Sequence, residues 1–230
     1  MKLNEHLSDT KQESQEAQNK HSERRVYPDY EDIGPDRLKE AEVAYGRGKR
    51  QGEYTLEDYY ALPDNIRAEL IDGEMYLMSC PSWKHQRIVT RLSSLLYQYV
   101  DSKNGDCEVS SAPFDVQLDC NMWTMVQPDI MIICNPDRIM DNRICGAPDF
   151  VVEVLSPSTR KKDQTIKLRK YREAGVREYW MIDPEKEQIE VYLFRTRDLA
   201  VLPRVYSFDD IVPVGIYDGD CKVDFSKFRR

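Results

Sequence analysis

Two acidic residues sit where apolar residues are expected. Asp129 lies in MVQPDIMIIC (125–134) and Glu153 lies in PDFVVEVL (148–155). A carboxylate buried in such surroundings costs several kcal/mol unless it is paired or metal-bound. Two of them in neighbouring apolar strands point to a shared divalent cation. Mg²⁺ (or Mn²⁺) suits the pattern, because such hard ions take a few carboxylates plus waters and substrate phosphates. The plainer alternative pairs each acid with a core Arg or Lys. Period-two alternation puts Asp129 on one strand face with Met131 and Ile133, and Glu153 with Val151 and Leu155. Pro128 cannot donate to a ladder, so an edge or a bulge is expected there. Glu69, in RAELIDG, is a candidate third carboxylate; Glu74 is expected at the surface.

A basic segment follows Glu153. Asp163, Lys167 and Tyr171 are spaced by four and stack on one face of a helix. Ile166, Tyr171 and Ala174 form its apolar stripe, which places Lys167 at the edge of the buried face. Residues 159–172 hold seven Lys/Arg against Asp163 alone. Arg160, Lys161, Lys162 and Lys170 are candidate phosphate contacts, and a merely solvated helix face is the alternative. His85 opens the apolar face of another helix, where a lone histidine is more often a core residue bonded to backbone than a ligand.

Other chemistries find little support. There is no G-x-S-x-G, P-loop or G-x-G-x-x-G. Only His6, His21 and His85 are present, two of them near the N-terminus, which disfavours a Ser-His-Asp or His-rich metal site. The six cysteines are scattered without zinc spacing and read as reduced thiols, with Cys134 acting as a small hydrophobe. No stretch reaches a membrane span and no signal-peptide core is seen, so a cytoplasmic location is expected. The net charge of −8 falls mostly on residues 51–230, with 23 basic and 30 acidic side chains. This argues against a broadly basic nucleic-acid footprint, and any polyanion contact must be local or metal-screened.

These residues need elements to place them. Residues 1–50 divide into a polar stretch too poor in apolar side chains to fold and a helical segment at 36–47 with Asp36 as N-cap. A folded domain is expected over 51–230. Thr55 with Asp58 resembles a capping box. Asp72-Gly73 between alternating runs predicts a hairpin. Pro81-Ser82 opens a long helix whose buried face carries His85, Ile88, Leu92, Leu95, Leu96 and Tyr99. Strands are expected at 107–110, 114–118, 125–134 and 149–155, then a helix over 159–174 stopped by Gly175, then a strand pair and short strands to the end. The mixture of meander and crossover connections predicts an α/β domain, a mixed central β-sheet flanked by helices.

Taken together, ELIDGE, the His85 helix, VQPDIMII, PDFVVEVLSPST, the D-x₃-K-x₃-Y helix and AGVREYWMIDP resemble the Uma family. This is a bacterial group of restriction-endonuclease-like proteins within the PD-(D/E)XK nuclease superfamily. The resemblance covers about residues 53–195. It implies a restriction-endonuclease-like fold and a Mg²⁺ or Mn²⁺ site on adjacent strands. Pro128-Asp129 match the PD, Glu153 matches the acid, Glu69 looks like an additional upstream acid, and Val154 would offer its backbone carbonyl to the metal. The superfamily lysine is replaced by Leu155, and Lys167 on the following helix is the natural substitute. The implied activity is metal-dependent hydrolysis of DNA, with a homodimer as the family-level expectation. Alternatives are an inactive nuclease-fold binding module, a phosphoesterase acting on RNA or a small ester, and an interaction protein working through 36–47.

Overall fold

The computed structural model describes residues 49–63, 65–194 and 202–229. The expected polar tail and its helix at 36–47 lie outside them. Thr55 starts the short helix α1 (Leu56–Tyr60) through the expected capping box with Asp58. The hairpin β1 (Ala68–Ile71) and β2 (Glu74–Leu77) turns at Asp72 and Gly73, both with positive φ. Glycine is required there, since a Cβ on Gly73 would come within 2.5 Å of the Gly52 carbonyl oxygen.

The long helix α2 (Trp83–Lys103) is capped by Ser82, whose hydroxyl accepts the His85 N–H at 3.2 Å. Ile88, Val89, Leu92, Leu96 and Val100 form its buried stripe. Leu95 is 40% exposed, a correction to the expected face: the stripe runs along 88, 92, 96 and 100, and Leu95 falls on its flank.

Six strands form the central sheet, in the order β10–β9–β8–β7–β5–β3. They are β3 (Glu108–Ser111), β5 (Ile130–Ile133), β7 (Phe150–Val154), β8 (Glu178–Asp183), β9 (Gln188–Leu193) and β10 (Arg204–Ser207). The β7–β8 pair is parallel and the other neighbours are antiparallel, so the sheet is mixed as expected. The crossover between β7 and β8 is helix α3, spanning α-helical Arg160–Lys162, a π-turn at Asp163–Lys167 and α-helical Leu168–Ala174. Gly175 stops it at φ 97°. Short pairs lie beside the sheet: β4 (Asp115–Gln117) with β6 (Arg143–Cys145), and β11 (Ile211–Pro213) with β12 (Lys222–Asp224).

Alternation along the strands sorts the core into two layers. Ile130, Ile132, Val152, Val154, Trp180 and Ile182 pack with α2 and the C-terminal segment. Met131, Ile133, Val151, Tyr179 and Met181 pack with Tyr171 and the apolar side of α3.

Two expectations change here. The run 125–134 is not one strand: Met125 and Val126 bridge to Leu70 and Val116, and the ladder of β5 begins only at Ile130. Pro128 and Asp129 therefore sit at the mouth of β5, and Pro128 avoids the ladder by preceding it. Four cysteines are not thiols. Cys107 is bonded to Cys134 and Cys120 to Cys145. The antiparallel register that sets Glu108 opposite Ile133 puts Cys107 beside Cys134, a proximity hidden by their separation of 27 in sequence.

Candidate active site

β5 starts and β7 ends at the same end of the sheet, because they run antiparallel. Asp129 and Glu153 meet there. The Val154 N–H donates to Asp129 Oδ2 at 2.7 Å, joining the segment before β5 to the residue after Glu153. His85, from the first turn of α2, brings Nε2 to 3.1 Å from the same oxygen. This corrects the expectation of a core histidine bonded to backbone. Its Nδ1 is buried with no hydrogen-bond partner among the described residues.

Lys167 organises the interior. Its ammonium lies 2.8 Å from Glu69 Oε1 and 3.8 Å from Asp163 Oδ1, and it forms an ion pair with Glu153 Oε1. The Tyr171 hydroxyl donates to that same Glu153 oxygen at 2.6 Å. Lys162 reaches Glu69 Oε2 at 2.6 Å, over the ring of Tyr76. Lys167 is thus wholly buried, not at the edge of its helix face.

The π-turn makes this geometry possible. Residues five apart stand roughly 140° apart around an α-helix, which would keep Lys162 and Lys167 off one carboxylate. In the wide turn the Leu168 N–H bonds back to the Asp163 carbonyl, five residues earlier. The Thr165 hydroxyl donates to the Lys161 carbonyl, and the Tyr179 hydroxyl donates to that of Asp163. Such competing donors loosen the i→i−4 ladder. Both lysines then face Glu69.

Charge follows from this packing. Burial pushes Glu69 up, but the ammoniums of Lys167 and Lys162 outweigh it and bring its pKa to about 2. Glu153 goes the other way. Burial raises it well above the ordinary carboxylate range, Lys167 opposes this, and the charges of Asp163, Asp129 and Glu69 add to the rise. Burial also raises Asp163. Lys167 stays an ammonium: burial works against it, yet Glu153, Glu69 and Asp163 lift its pKa well above the usual lysine value.

Four carboxyl groups therefore meet two ammoniums, an excess of acid over base that shows in the raised Glu153 and Asp163. That excess, and the hard oxygens of Asp129 and Glu153, fit a divalent cation. Among the described residues, Asp129 Oδ1 and Glu153 Oε2 accept no hydrogen bond, whereas both oxygens of Glu69 are taken. No set of three His, Cys, Asp or Glu side chains among the described residues forms a ready-made cage. Two carboxylates are enough for an ion that keeps waters and binds phosphate.

The candidate phosphate contacts are not brought together as a patch. Arg160 forks onto Asp183, Lys162 is held by Glu69, and Lys170 lies between Asp72 and Asp119. Lys161 stays exposed. A sequence of cations cannot show that carboxylates from distant strands fold over them. Sequence reasoning also missed Gln127. Its N–H donates to Glu69 Oε1, and its side chain bonds Tyr59, Asp115 and Arg67. Its place two residues before Asp129 was the available signal.

A mixed sheet with acids at the ends of adjacent strands and a lysine delivered by the crossover helix defines a nuclease-like α/β protein. A solved structure described as a putative nuclease belonging to DUF820, from Anabaena variabilis, superposes with a TM-score of 0.62 at 21% identity. The match covers 76% of this chain and 96% of that one, and shows the fold. The family model Uma2, described as "Putative restriction endonuclease", matches residues 56–215, and the chain belongs to that family. Two uncharacterized proteins of Synechocystis sp. are also similar. One, slr1290, is 32% identical over 125 residues, 54% of this chain; the chain spans 64% of its length. The other, sll1609, is 28% identical over 134 residues, 55% of this chain and 71% of its own. No helix among the described residues is long and apolar enough to cross a membrane.

Proposed function

We propose that the protein is a metal-dependent endonuclease that hydrolyses DNA phosphodiester bonds. The observation that carries this is the meeting of Asp129 and Glu153 at one sheet end, each with one carboxylate oxygen unengaged among the described residues and with Lys167 ion-paired to Glu153. Asp129 Oδ1 and Glu153 Oε2 would hold Mg²⁺ or Mn²⁺, with the Val154 carbonyl as a third oxygen. When bound, such an ion lowers the pKa of a water and offsets charge on the pentavalent transition state.

The protein's own groups then have distinct tasks. Lys167 remains positive and supplies charge rather than taking a proton. Glu69 anchors Lys167 and Lys162 and is not a metal ligand, since both its oxygens are used. Tyr171 keeps its proton and holds Glu153. Asp163 balances Lys167 from the other side. Of the four candidate phosphate contacts, Lys161 is left exposed to meet a phosphate, and Arg160, Lys162 and Lys170 hold the fold around the site.

The test is cleavage of plasmid DNA with Mn²⁺ or Mg²⁺ by wild type, Asp129→Asn, Glu153→Gln and Lys167→Met. Wild type is expected to cut and Asp129→Asn to lose activity by orders of magnitude. Equal cutting by Asp129→Asn would refute the metal site.

A second reading is an inactive nuclease-fold module for binding nucleic acid or protein. It is favoured by one observation: Lys162 and Lys167 already saturate Glu69 and hold Glu153. Calorimetric titration separates the two, because the inactive module takes up neither Mg²⁺ nor Mn²⁺.

A further inference from the structure

We propose that His85 is a positioning residue for Asp129. Its Nε2 lies 3.1 Å from Asp129 Oδ2, and the Val154 N–H meets the same oxygen at 2.7 Å. The two groups come from different elements, the first turn of α2 and the end of β7. Between them they fix one carboxylate oxygen and leave Oδ1 as the oxygen of Asp129 with no partner among the described residues. This rests on the metal-site reading above and says how that site is aimed.

The histidine is poorly explained as packing. A buried imidazole with a purely structural task ordinarily satisfies both nitrogens. His85 Nδ1 is shut from solvent and bonded to nothing among the described residues, whereas Nε2 is spent on the Asp129 carboxylate. The side chains of His85 and Asp129 are 13% and 15% exposed, against 3% for Lys167, so this pair is nearer solvent than the lysine. Nδ1 is enclosed, and the contact made by Nε2 among the described residues is with Asp129. It acts through Asp129.

An outer group that orients a metal-binding carboxylate is worth about 10–100-fold in metal affinity. The experiment titrates Mn²⁺ alone into the full chain by calorimetry, with thermal melts of the metal-free proteins beside it. Wild type, His85→Gln, His85→Phe and Asp129→Asn are compared. Glutamine places an N–H near the position of Nε2, and its affinity is expected to stay within about threefold of wild type. Phenylalanine fills the space without a donor, and about 10–100-fold weaker binding is expected at an unchanged melting temperature. Should His85→Phe fail to fold, His85→Asn takes its place, its amide being too short to reach Oδ2, and the same weakening is expected.

Wild-type affinity in the phenylalanine or asparagine variant overturns the proposal, as does a glutamine variant as weak as phenylalanine. If wild type binds Mn²⁺, Asp129→Asn loses it and His85→Phe does not, only the role of His85 falls. If wild type takes up no Mn²⁺, the metal-site reading falls with it.

Discussion

Helix α2 lays Ile88, Leu92 and Leu96 against one layer of the sheet, while α3 brings Lys167, Asp163 and Tyr171 into the other. Both helices are buried along one side, yet different forces hold them. α2 keeps the 3.6-residue period, carries an ordinary cap and buries hydrocarbon. α3 breaks its period with a π-turn and buries ions that are stable only together. A hydrophobic contact loses its own share when removed, whereas an ionic cluster leaves charged partners behind. The candidate site lies where the ionic helix meets the sheet end, with His85 reaching in from the apolar one.

The sharpest test of that contrast removes one side chain from each helix. Lys167→Met keeps the length and discards the charge, leaving Glu69, Glu153 and Asp163 buried against one another. A loss of about 3–5 kcal/mol is expected in urea unfolding. Leu92→Ala should cost about 2–5 kcal/mol through lost burial and the cavity left behind. The two differ in rescue. Adding Glu69→Gln to Lys167→Met should recover part of the stability, because it removes a stranded charge; adding it to Leu92→Ala should not. If the double variants behave alike, the ionic description of α3 is wrong.

Acid provides a weaker perturbation of the same cluster. Glu69 has a folded-state pKa of about 2, below the ordinary 4.5. A depressed carboxylate contributes stability that is fully present above the unfolded pKa and is lost as pH falls through the folded one. Stability should therefore decline from about pH 4.5 toward pH 2, and Glu69→Gln should flatten that decline. Leu92→Ala should lower the whole curve without changing its slope. An unaltered acid limb in Glu69→Gln would show that other carboxylates carry it.

These contrasts explain what could be read from the sequence. The hairpin at Asp72-Gly73, the cap at Ser82, the strand at 150–154 and the stop at Gly175 are local signals, and each is where the pattern puts it. Asp129 and Glu153 stood out because a charge in an apolar run is itself an anomaly. The rest depends on chain segments distant in sequence. Glu69 meets Lys167 across 98 residues, and Cys107 meets Cys134 only through the β3–β5 register. The π-turn is invisible to a helical wheel, which therefore puts Lys167 at an edge and Lys162 among the surface cations. A wheel is equally blind to the partners of Arg160 and Lys170, since Asp183, Asp72 and Asp119 lie on other elements.

The smallest expected effect concerns the charge that α3 leaves outside. If its cations are committed inward, few remain to displace counterions from a nucleic acid. Each phosphate contact contributes a slope of about −0.9 in log K against log salt on duplex DNA. Lys161 is exposed, whereas Arg160, Lys162, Lys167, Arg169 and Lys170 hold carboxylates. Lys161→Ala should leave stability within about 0.5 kcal/mol and reduce the salt slope of DNA binding by about 1. Arg160→Ala should do the reverse, lowering stability by releasing Asp183 and leaving the salt slope unchanged. Fluorescence anisotropy with a labelled duplex at several salt concentrations reads the slope, and urea unfolding reads the stability. A slope that falls by about 1 with Arg160→Ala would mean that this guanidinium leaves Asp183 for a phosphate, and that α3 is a DNA-facing helix after all.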